Sequence, residues 1–187
     1  MTVYYNEFDP AAAHCLRALI ADGVIANGVV DERSITEIDS DEIRRYTQCH
    51  FFAGGGLWSV AARLAGWRDD WPLWTGSPPC QPFSVAGSGK GTDDSRHLWP
   101  ELYRLICEVR PPIVMGEQVS GEAGYDWLDG VCDDLEAENY TTGAADIAAC
   151  AVDAPHKRSR PWWYAMGHSE STRCKSQSDD LLSLIHI

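Results

Sequence analysis

The hydrophobic positions alternate between short runs typical of strands and longer stretches with helical spacing. Strands are predicted at residues 2–8, 28–31, 48–52, 72–76, 112–116, 140–147 and 162–166. One helix is predicted to begin at Pro10, and another runs from about Leu57 to its end at Gly66, with a short polar turn at 41–45 between them. Two later helices are marked by apolar residues at helical spacing: Leu98, Leu102, Leu105, Ile106 and Val109, then Leu128, Val131, Cys132 and Leu135. The alternation predicts an α/β fold with a doubly wound, mostly parallel sheet.

The composition is that of an ordinary globular domain, with 44% hydrophobic and 23% charged residues in a chain of 187. No apolar run approaches the length of a membrane span, and the first residues lack the pattern of a signal peptide. We therefore expect a cytoplasmic protein that does not contact a membrane.

The seven cysteines are widely and unevenly spaced, and no two of them form a Cys-x-x-Cys pair. This spacing argues against a zinc site and against the disulfide framework of a small secreted protein. We expect no bound metal ion, and we expect most of the thiols to be small buried hydrophobic groups.

The net charge of −13 is unusual for a protein that binds nucleic acid, because neutralisation of phosphates normally requires a basic surface. An acidic chain can still bind DNA through a local basic patch. Alternatively, the groups that hold DNA lie in another part of the protein.

The segment from Gly76 to Ser84, Gly-Ser-Pro-Pro-Cys-Gln-Pro-Phe-Ser, follows a predicted strand and places Cys80 between prolines. Prolines stiffen the backbone, and a rigid turn at a strand end is where doubly wound folds present reactive groups. The segment resembles the Pro-Cys-Gln motif of DNA cytosine-5 methyltransferases of the phage and bacterial type, although Pro78 stands where the family usually has Phe. The resemblance, which extends over residues 2–166, implies that Cys80 attacks carbon 6 of cytosine.

Two later segments are similar to other catalytic motifs of the same family. Gly116-Glu117-Gln118-Val119 resembles its Glu-Asn-Val motif, with Gln118 in place of Asn, and implies that Glu117 holds ring nitrogen 3 and the exocyclic amine of the base. His156-Lys157-Arg158-Ser159-Arg160 resembles its Gln-x-Arg-x-Arg motif. By that resemblance Arg160 contacts the base and Arg158 supports phosphate or loop geometry, and we expect Arg160 to favour the thiolate of Cys80.

The cofactor implied by the resemblance is S-adenosyl-L-methionine. Phe52-Ala53-Gly54-Gly55-Gly56 lies between a predicted strand and a helix and is similar to the family's Phe-x-Gly-x-Gly motif, in which glycines let the backbone approach the ligand. Asn6-Glu7-Phe8-Asp9 resembles the segment that holds the ribose, which implies that Glu7 binds the ribose hydroxyls and Phe8 stacks on adenine. Asp31, at the end of Val29-Val30-Asp31, resembles the residue that accepts from the adenine amine.

The order of these cofactor segments differs from the common family order, in which the Gly-rich segment comes first. If each segment keeps its usual place in the sheet, the chain runs outward from the Glu7 strand to the Asp31 strand and returns to a central strand before Phe52. Because parallel crossovers are almost always right-handed, we predict that the helix from Leu57 shares a sheet face with the 98–109 helix. The helix from Pro10 is then expected on the opposite face.

The resemblance implies a Rossmann-like methyltransferase that transfers a methyl group to carbon 5 of a flipped-out cytosine in double-stranded DNA. Residues 84–97 lack apolar periodicity and are predicted to form a long mobile loop that closes over the base through Lys90 and Arg96. We expect residues 1–167 to be an incomplete catalytic domain, and 168–187 a disordered tail. The last six residues match an in-frame translation of a sequencing adaptor, and the complete protein is expected to be a bacterial or phage-encoded monomer.

Other functions remain open at this level. The chain could be a truncated remnant that binds cofactor without catalysis, which its acidic charge favours. Ser77-Pro78-Pro79 also resembles the start of the Ser-Pro-Pro-aromatic motif of amino-methyltransferases, although Cys80 stands where the aromatic residue is required. An RNA cytosine-5 enzyme would use the same base chemistry. We expect the 187-residue chain to bind the cofactor weakly and to methylate DNA poorly or not at all.

Overall fold

A computed structural model of the chain describes residues 3–79 and 98–168. Seven strands form one sheet: β1 (Val3–Asn6), β2 (Gly28–Asp31), β3 (Gln48–Phe51), β4 (Leu73–Gly76), β5 (Ile113–Glu117), β6 (Tyr140–Ala148) and β7 (Ser159–Gly167). Five helices connect them: α1 (Pro10–Ala21), α2 (Ser40–Ile43), α3 (Leu57–Leu64), α4 (Trp99–Val109) and α5 (Glu122–Ala137). Short 3-10 helices at Ile35–Glu37 and Ala149–Val152 were not predicted.

The strands lie in the order β2-β1-β3-β4-β5-β7-β6. Neighbouring strands from β2 to β5 are parallel, whereas β7 runs antiparallel to both β5 and β6. This arrangement confirms the mostly parallel, doubly wound fold. It also confirms the predicted path of the chain, which runs outward from β1 to β2, returns to β3 at the centre and continues to β4.

The sheet separates two hydrophobic cores, and successive side chains of β1 point into different ones. Tyr4 belongs to the larger core, which contains buried side chains of α4 and α5 such as Leu102 and Leu135. Tyr5 belongs to the smaller core, in which Leu16 of α1 is fully buried. Because side chains fill both faces of β1, the strand is buried along its whole length.

The predicted position of α3 is wrong, because this helix lies on the same face of the sheet as α1. Ser59 of α3 accepts a hydrogen bond of 3.1 Å from the hydroxyl of Tyr5, in the smaller core. Val60 packs against that core, and a Cβ atom added to Gly56 would lie 3.1 Å from the side chain of Leu16. The helix α4, in contrast, contributes to the larger core on the other face.

This position gives the β3–α3–β4 connection the opposite hand to the other crossovers. The steps from β1 to β2 and from β3 to β4 run in opposite directions across the sheet, yet α1 and α3 lie on one face. The hand of a crossover depends on its direction across the sheet and on the face that its helix covers. The connections that contain α2, α4 and α5 run in the same direction as β3–β4, but their helices cover the other face. They therefore have the same hand as the connection through α1. Since nearly all such crossovers are right-handed, the α3 connection is the left-handed one.

The turn between β3 and α3 is short and has an uncommon backbone conformation. Phe52, Gly54 and Gly56 all have positive φ angles, of 54°, 52° and 71°. Such a turn lets α3 begin soon after β3. Ser59 then accepts hydrogen bonds from the Tyr5 hydroxyl and the N–H of Ala26, and these bonds hold the helix on the face of α1. The rule of right-handed crossovers describes the common case and does not take such local contacts into account.

The remaining boundaries differ from prediction mainly at the ends of elements. The strand β7 begins at Ser159 rather than at 162, because it pairs with β6 as far as Ala148. The helix α5 begins at Glu122, several residues before its first predicted apolar position. In the part of the chain that the structure describes, no helix is both long and apolar enough to cross a membrane.

Candidate active site and cofactor site

The polar residues singled out in the sequence meet at one edge of the sheet, where the parallel strands end. Glu7 follows β1, and Asp31 is the last residue of β2, opposite the end of β1. The Gly-rich turn follows β3, Ser77 follows β4, and Glu117 ends β5. In doubly wound folds this carboxyl edge is where ligands bind.

The Gly-rich turn has open space on its outer side. A Cβ atom added to Gly55 would meet nothing within 4 Å, and one added to Gly54 would only reach the Phe52 carbonyl oxygen at 4.0 Å. Gly56 caps α3 without any side-chain hydrogen bond. The turn therefore leaves room for a ligand close to the backbone and beside the N–H groups that begin α3.

The carboxylate of Glu7 connects the end of β1 to the Gly-rich turn. One oxygen accepts a hydrogen bond of 2.7 Å from the N–H of Gly54, and the other accepts one of 2.8 Å from the N–H of Asp9. Beside it, the ring of Phe8 is 72% exposed. The two predicted cofactor segments, distant in sequence, thus lie side by side and bring together a carboxylate, an open Gly-rich turn and an exposed aromatic ring.

Asp31 is held by protein groups in this structure. Its carboxylate accepts hydrogen bonds from the backbone N–H and the guanidinium of Arg33 and from the hydroxyl of Tyr4, the latter at 2.9 Å. Although burial opposes ionisation, the hydrogen bonds from Arg33 and Tyr4 hold the pKa of Asp31 below its usual value. Arg33 also binds Glu42. Most acceptor positions of Asp31 are therefore filled, and its contact with an adenine amine stays a prediction.

Glu117 and Arg160 form a partly buried pair on the neighbouring strands β5 and β7. The Nε atom of Arg160 lies 3.5 Å from a carboxylate oxygen of Glu117, and the two side chains are 24% and 32% exposed. Burial raises the pKa of Glu117, whereas the charges of Arg160 and Arg158 oppose this rise. Arg158 itself is exposed just before β7. Glu117 is thus a carboxyl group that retains a proton more readily than a solvated glutamate.

Gln118 stabilises the turn after β5. Its side chain is buried, and its amide oxygen accepts a hydrogen bond of 3.0 Å from the N–H of Val119. Its own N–H donates to the carbonyl of Pro161 at 3.0 Å, which ties the turn to β7. The longer amide in place of the expected Asn therefore has a defined role in orienting the segment that follows Glu117.

Three predicted residues, Cys80, Lys90 and Arg96, lie outside the residues that the structure describes, as do the predicted loop 84–97 and the tail beyond His168. The described chain reaches Pro79, three residues after the end of β4, which is the strand next to β5. Among the described residues, no group of three or more His, Cys, Asp or Glu side chains could hold a metal ion.

Two tryptophans at this edge were missed by the sequence analysis. Trp58 lies in the first turn of α3, and Trp162 lies in β7 opposite Glu117. Their rings contact each other edge to face, with centroids 5.3 Å apart. The sequence could have drawn attention to them only by position, because Trp58 lies two residues after Gly56 and Trp162 lies two residues after Arg160.

Comparison with known proteins identifies the family. Residues 60–183 match the model of the C-5 cytosine-specific DNA methylase family. The chain belongs to this family. The matched part includes the segments around Cys80, Glu117 and Arg160, whereas the segments predicted to bind the cofactor lie before residue 60.

Curated relatives are bacterial type II methyltransferases. M.AplI of Arthrospira platensis is 38% identical over 87 residues, which cover 46% of this chain and 25% of that protein. M.HhaI of Haemophilus parahaemolyticus is 34% identical over 86 residues, covering 44% of this chain and 26% of the relative. The chain thus matches about a quarter of the length of these relatives.

Solved structures share the fold across the chain. The Dnmt2 methyltransferase of S. pombe superimposes with a TM-score of 0.59 at 17% identity, covering 100% of this chain and 49% of that protein. A putative DNA modification methyltransferase encoded within an E. coli prophage has a TM-score of 0.52 at 19% identity, with coverage of 89% and 47%. At these identities the likeness concerns the Rossmann-like fold alone.

Proposed function

We propose that this chain is the catalytic and cofactor-binding part of a DNA cytosine-5 methyltransferase, acting through a covalent adduct between Cys80 and a flipped-out cytosine. The observation that carries the proposal is the pair of Glu117 and Arg160, partly buried at the edge where β4, the strand that precedes the Pro-Cys-Gln motif in the chain, ends. A carboxyl group with a raised pKa next to a guanidinium suits recognition of a neutral, polar base edge.

The cofactor site proposed for S-adenosyl-L-methionine consists of the Gly-rich turn, Glu7 and Phe8. When bound, this cofactor supplies an electrophilic methyl group. Glu7 would accept from the ribose hydroxyls, Phe8 would pack against adenine, and the N–H groups at the start of α3 would face the carboxylate of the methionine part. The open space at Gly55 and the exposed ring of Phe8 support this fit.

The chemistry requires that carbon 5 of cytosine, a poor nucleophile, be activated. The thiolate of Cys80 adds to carbon 6, and the electron pair of the carbon 5–carbon 6 double bond shifts toward ring nitrogen 3. Glu117 stabilises that charge by sharing its proton with nitrogen 3. Carbon 5 is then nucleophilic enough to be methylated. Loss of the proton from methylated carbon 5 restores the double bond and expels the Cys80 thiolate.

The base must leave the helix before this attack, because both faces of a stacked cytosine are covered. Extrusion costs a few kcal/mol, which contacts with the free base have to offset. Arg160 in β7 and Arg158 just before this strand are described cationic groups whose charges act on Glu117, and we assign these contacts to them. They also supply a local positive charge in a chain of net charge −13.

The proposal is tested by trapping the adduct. The purified chain is incubated with S-adenosyl-L-methionine and a duplex containing 5-fluorocytosine, which cannot lose a proton from carbon 5, and is then analysed by denaturing electrophoresis. Because the trapped adduct accumulates without turnover, even a chain that methylates DNA poorly should form the covalent complex. Cys80→Ser should form none while it retains cofactor binding. The matched control is Cys150→Ser, which removes an exposed thiol.

The alternative functions are separate outcomes of the same experiment. Cofactor binding without any adduct would favour the non-catalytic remnant. An adduct with single-stranded 5-fluorocytosine RNA in preference to the duplex would favour an RNA enzyme. An adduct that persists in Cys80→Ser would refute the assignment of the nucleophile, and methylation of an exocyclic amine would favour an amino-methyltransferase.

A further inference from the structure

Trp58 contacts two other segments of the active-site edge from its place just after the Gly-rich turn. Its indole Nε1 donates a hydrogen bond of 3.3 Å to the hydroxyl of Ser77, the first residue after β4. Its ring meets that of Trp162 with an interplanar angle of 74°. One side chain thus touches the segment before the Pro-Cys-Gln motif and the strand that bears Arg160.

Trp162 extends this contact to the base-binding carboxylate. In the ladder between β5 and β7, Trp162 is the direct partner of Glu117, so the two side chains lie on the same face of the sheet. Arg160, two positions earlier on β7, lies 3.5 Å from Glu117. Trp58, which lies two residues after Gly56, therefore contacts the residue of β7 that pairs directly with Glu117.

The Trp58–Trp162 pair lies outside the hydrophobic cores. Neither Trp58 nor Trp162 belongs to the two buried clusters, and Trp162 remains 39% exposed. Trp99 and Trp163, in contrast, pack in the larger core. An edge-to-face contact between two large aromatic side chains fixes their relative orientation. We therefore attribute to this pair a role in aligning α3 with β7 rather than in filling the core.

We propose that Trp58 is a positioning residue that fixes the cofactor turn relative to β4 and β7, so that binding of the cofactor orders the Glu117–Arg160 pair. This inference rests on the proposed function of the site. The donor hydrogen bond sets the position of Ser77, and the ring contact sets that of Trp162. Because effective attack tolerates displacements of less than about 1 Å, such alignment affects the rate more than the affinity.

The chain offers a matched control in a second pair of tryptophans. Trp67 and Trp71 also contact edge to face, with centroids 5.6 Å apart, in the connection between α3 and β4. The indole Nε1 of Trp67 is buried without a hydrogen-bond partner. Replacing Trp67 therefore removes a similar ring contact close in sequence without touching Ser77 or β7.

The test is hydrogen exchange of the full 187-residue chain, measured by mass spectrometry with and without S-adenosyl-L-methionine, in wild type, Trp58→Leu, Trp58→Phe and Trp67→Leu. We expect the cofactor to protect the turn at 52–57 and the strand segments at 117–119 and 159–163 in wild type. In Trp58→Leu only the turn should remain protected. Trp58→Phe, which keeps the ring, should restore protection of β7, and Trp67→Leu should resemble wild type.

A second readout separates positioning from binding. Where the chain methylates duplex DNA, we expect Trp58→Leu to lower kcat by roughly 10-fold to 100-fold, with a KM for the cofactor within about threefold of wild type. The inference would be overturned if the cofactor protected β7 equally in Trp58→Leu and in wild type. It would also be overturned if Trp67→Leu lost the protection of β7 as Trp58→Leu does. Either result would leave the proposed function standing. No protection anywhere in wild type would refute the proposed cofactor site and the inference with it.

Discussion

Glu7 and Gly54 are 47 positions apart, and the carboxylate of Glu7 accepts a hydrogen bond of 2.7 Å from the backbone N–H of Gly54. The bond joins the end of β1 to the turn after β3, two strands that are neighbours in the sheet. In the common order of the family the Gly-rich turn would come first in the chain. The contact between the two cofactor segments is therefore present although their order is reversed, because the sheet places both strand ends side by side.

Glu7→Gln is expected to weaken binding of S-adenosyl-L-methionine by about 10-fold. The substitution keeps the shape of the side chain but removes the charge, and one amide N–H₂ group replaces an oxygen that now accepts from a backbone N–H. Isothermal titration calorimetry gives the affinity. The control is Glu32→Gln, which removes an exposed carboxylate paired with Arg17. Equal affinities for the two variants would argue against Glu7 as a cofactor ligand.

Glu117→Gln is expected to slow formation of the 5-fluorocytosine adduct by about 10²-fold to 10³-fold, because the amide cannot share a proton with ring nitrogen 3. Cofactor affinity should change far less than the rate of adduct formation, because β4 lies between β5 and the strand that precedes the Gly-rich turn. The rate is followed by quenching single-turnover reactions onto denaturing gels. The control Glu122→Gln alters an exposed carboxylate at the start of α5. Adduct formation at the wild-type rate in Glu117→Gln would remove Glu117 from the mechanism.

His50 is expected to make the fold sensitive to acid. Its ring is buried between Tyr5, on which it stacks, and the hydroxyl of Thr75, and this burial lowers the pKa of His50 to about 4 from 6.5. Above pH 6.5 neither the folded nor the unfolded state is protonated. As the pH falls below 6.5, the unfolded state takes up a proton that the folded state accepts only near 4, so the free energy of unfolding decreases.

Between about pH 7 and about pH 5, His50 should account for about 2 kcal/mol of the lost stability. Urea unfolding at several pH values measures the slope, and His50→Phe, which retains a stacking ring, should flatten it whatever its effect on stability at neutral pH. The control His14→Gln, at an exposed position of α1, should keep the wild-type slope. An unchanged slope in His50→Phe would contradict the assignment.

Gly116→Ala is expected to lower the free energy of unfolding by about 1–3 kcal/mol. A Cβ atom at this position would lie 2.4 Å from the carbonyl oxygen of Gly76 and 2.4 Å from the ring of Trp163, and the backbone oxygen cannot move without disturbing β4. Gly130→Ala is the matched control, because nothing lies within 4 Å of its added Cβ in α5. That substitution should instead increase stability by up to about 1 kcal/mol, through helix propensity. Chemical denaturation of both variants checks the opposite signs.

The hydrophobic pattern by itself predicted the seven strands, the main helices and a mostly parallel sheet. Hydrophobic spacing indicates which side chains of an element are buried, and this pattern is local to the element. The strand β2, for example, was predicted with its observed bounds of Gly28–Asp31. The motifs placed Glu7, Gly54 and Glu117 at strand ends, and parallel strands bring their carboxyl ends to a common edge. The path from β1 to β2 and back to β3 followed from the resemblance, under the assumption that each segment keeps its usual place in the family's sheet.

Only the tertiary structure decided which face of the sheet α3 occupies and what surrounds each candidate residue. Spacing along a helix identifies its apolar side but not the layer it packs against. Contacts of Ser59 and Val60 with the smaller core place α3 on the face of α1. The bonds from Arg33 to Asp31 and the contact of Trp58 with Trp162 depend on side chains that approach in space. Burial of Glu117 is likewise a product of the neighbouring strand β7, because desolvation depends on every atom nearby and not on adjacent residues in the chain.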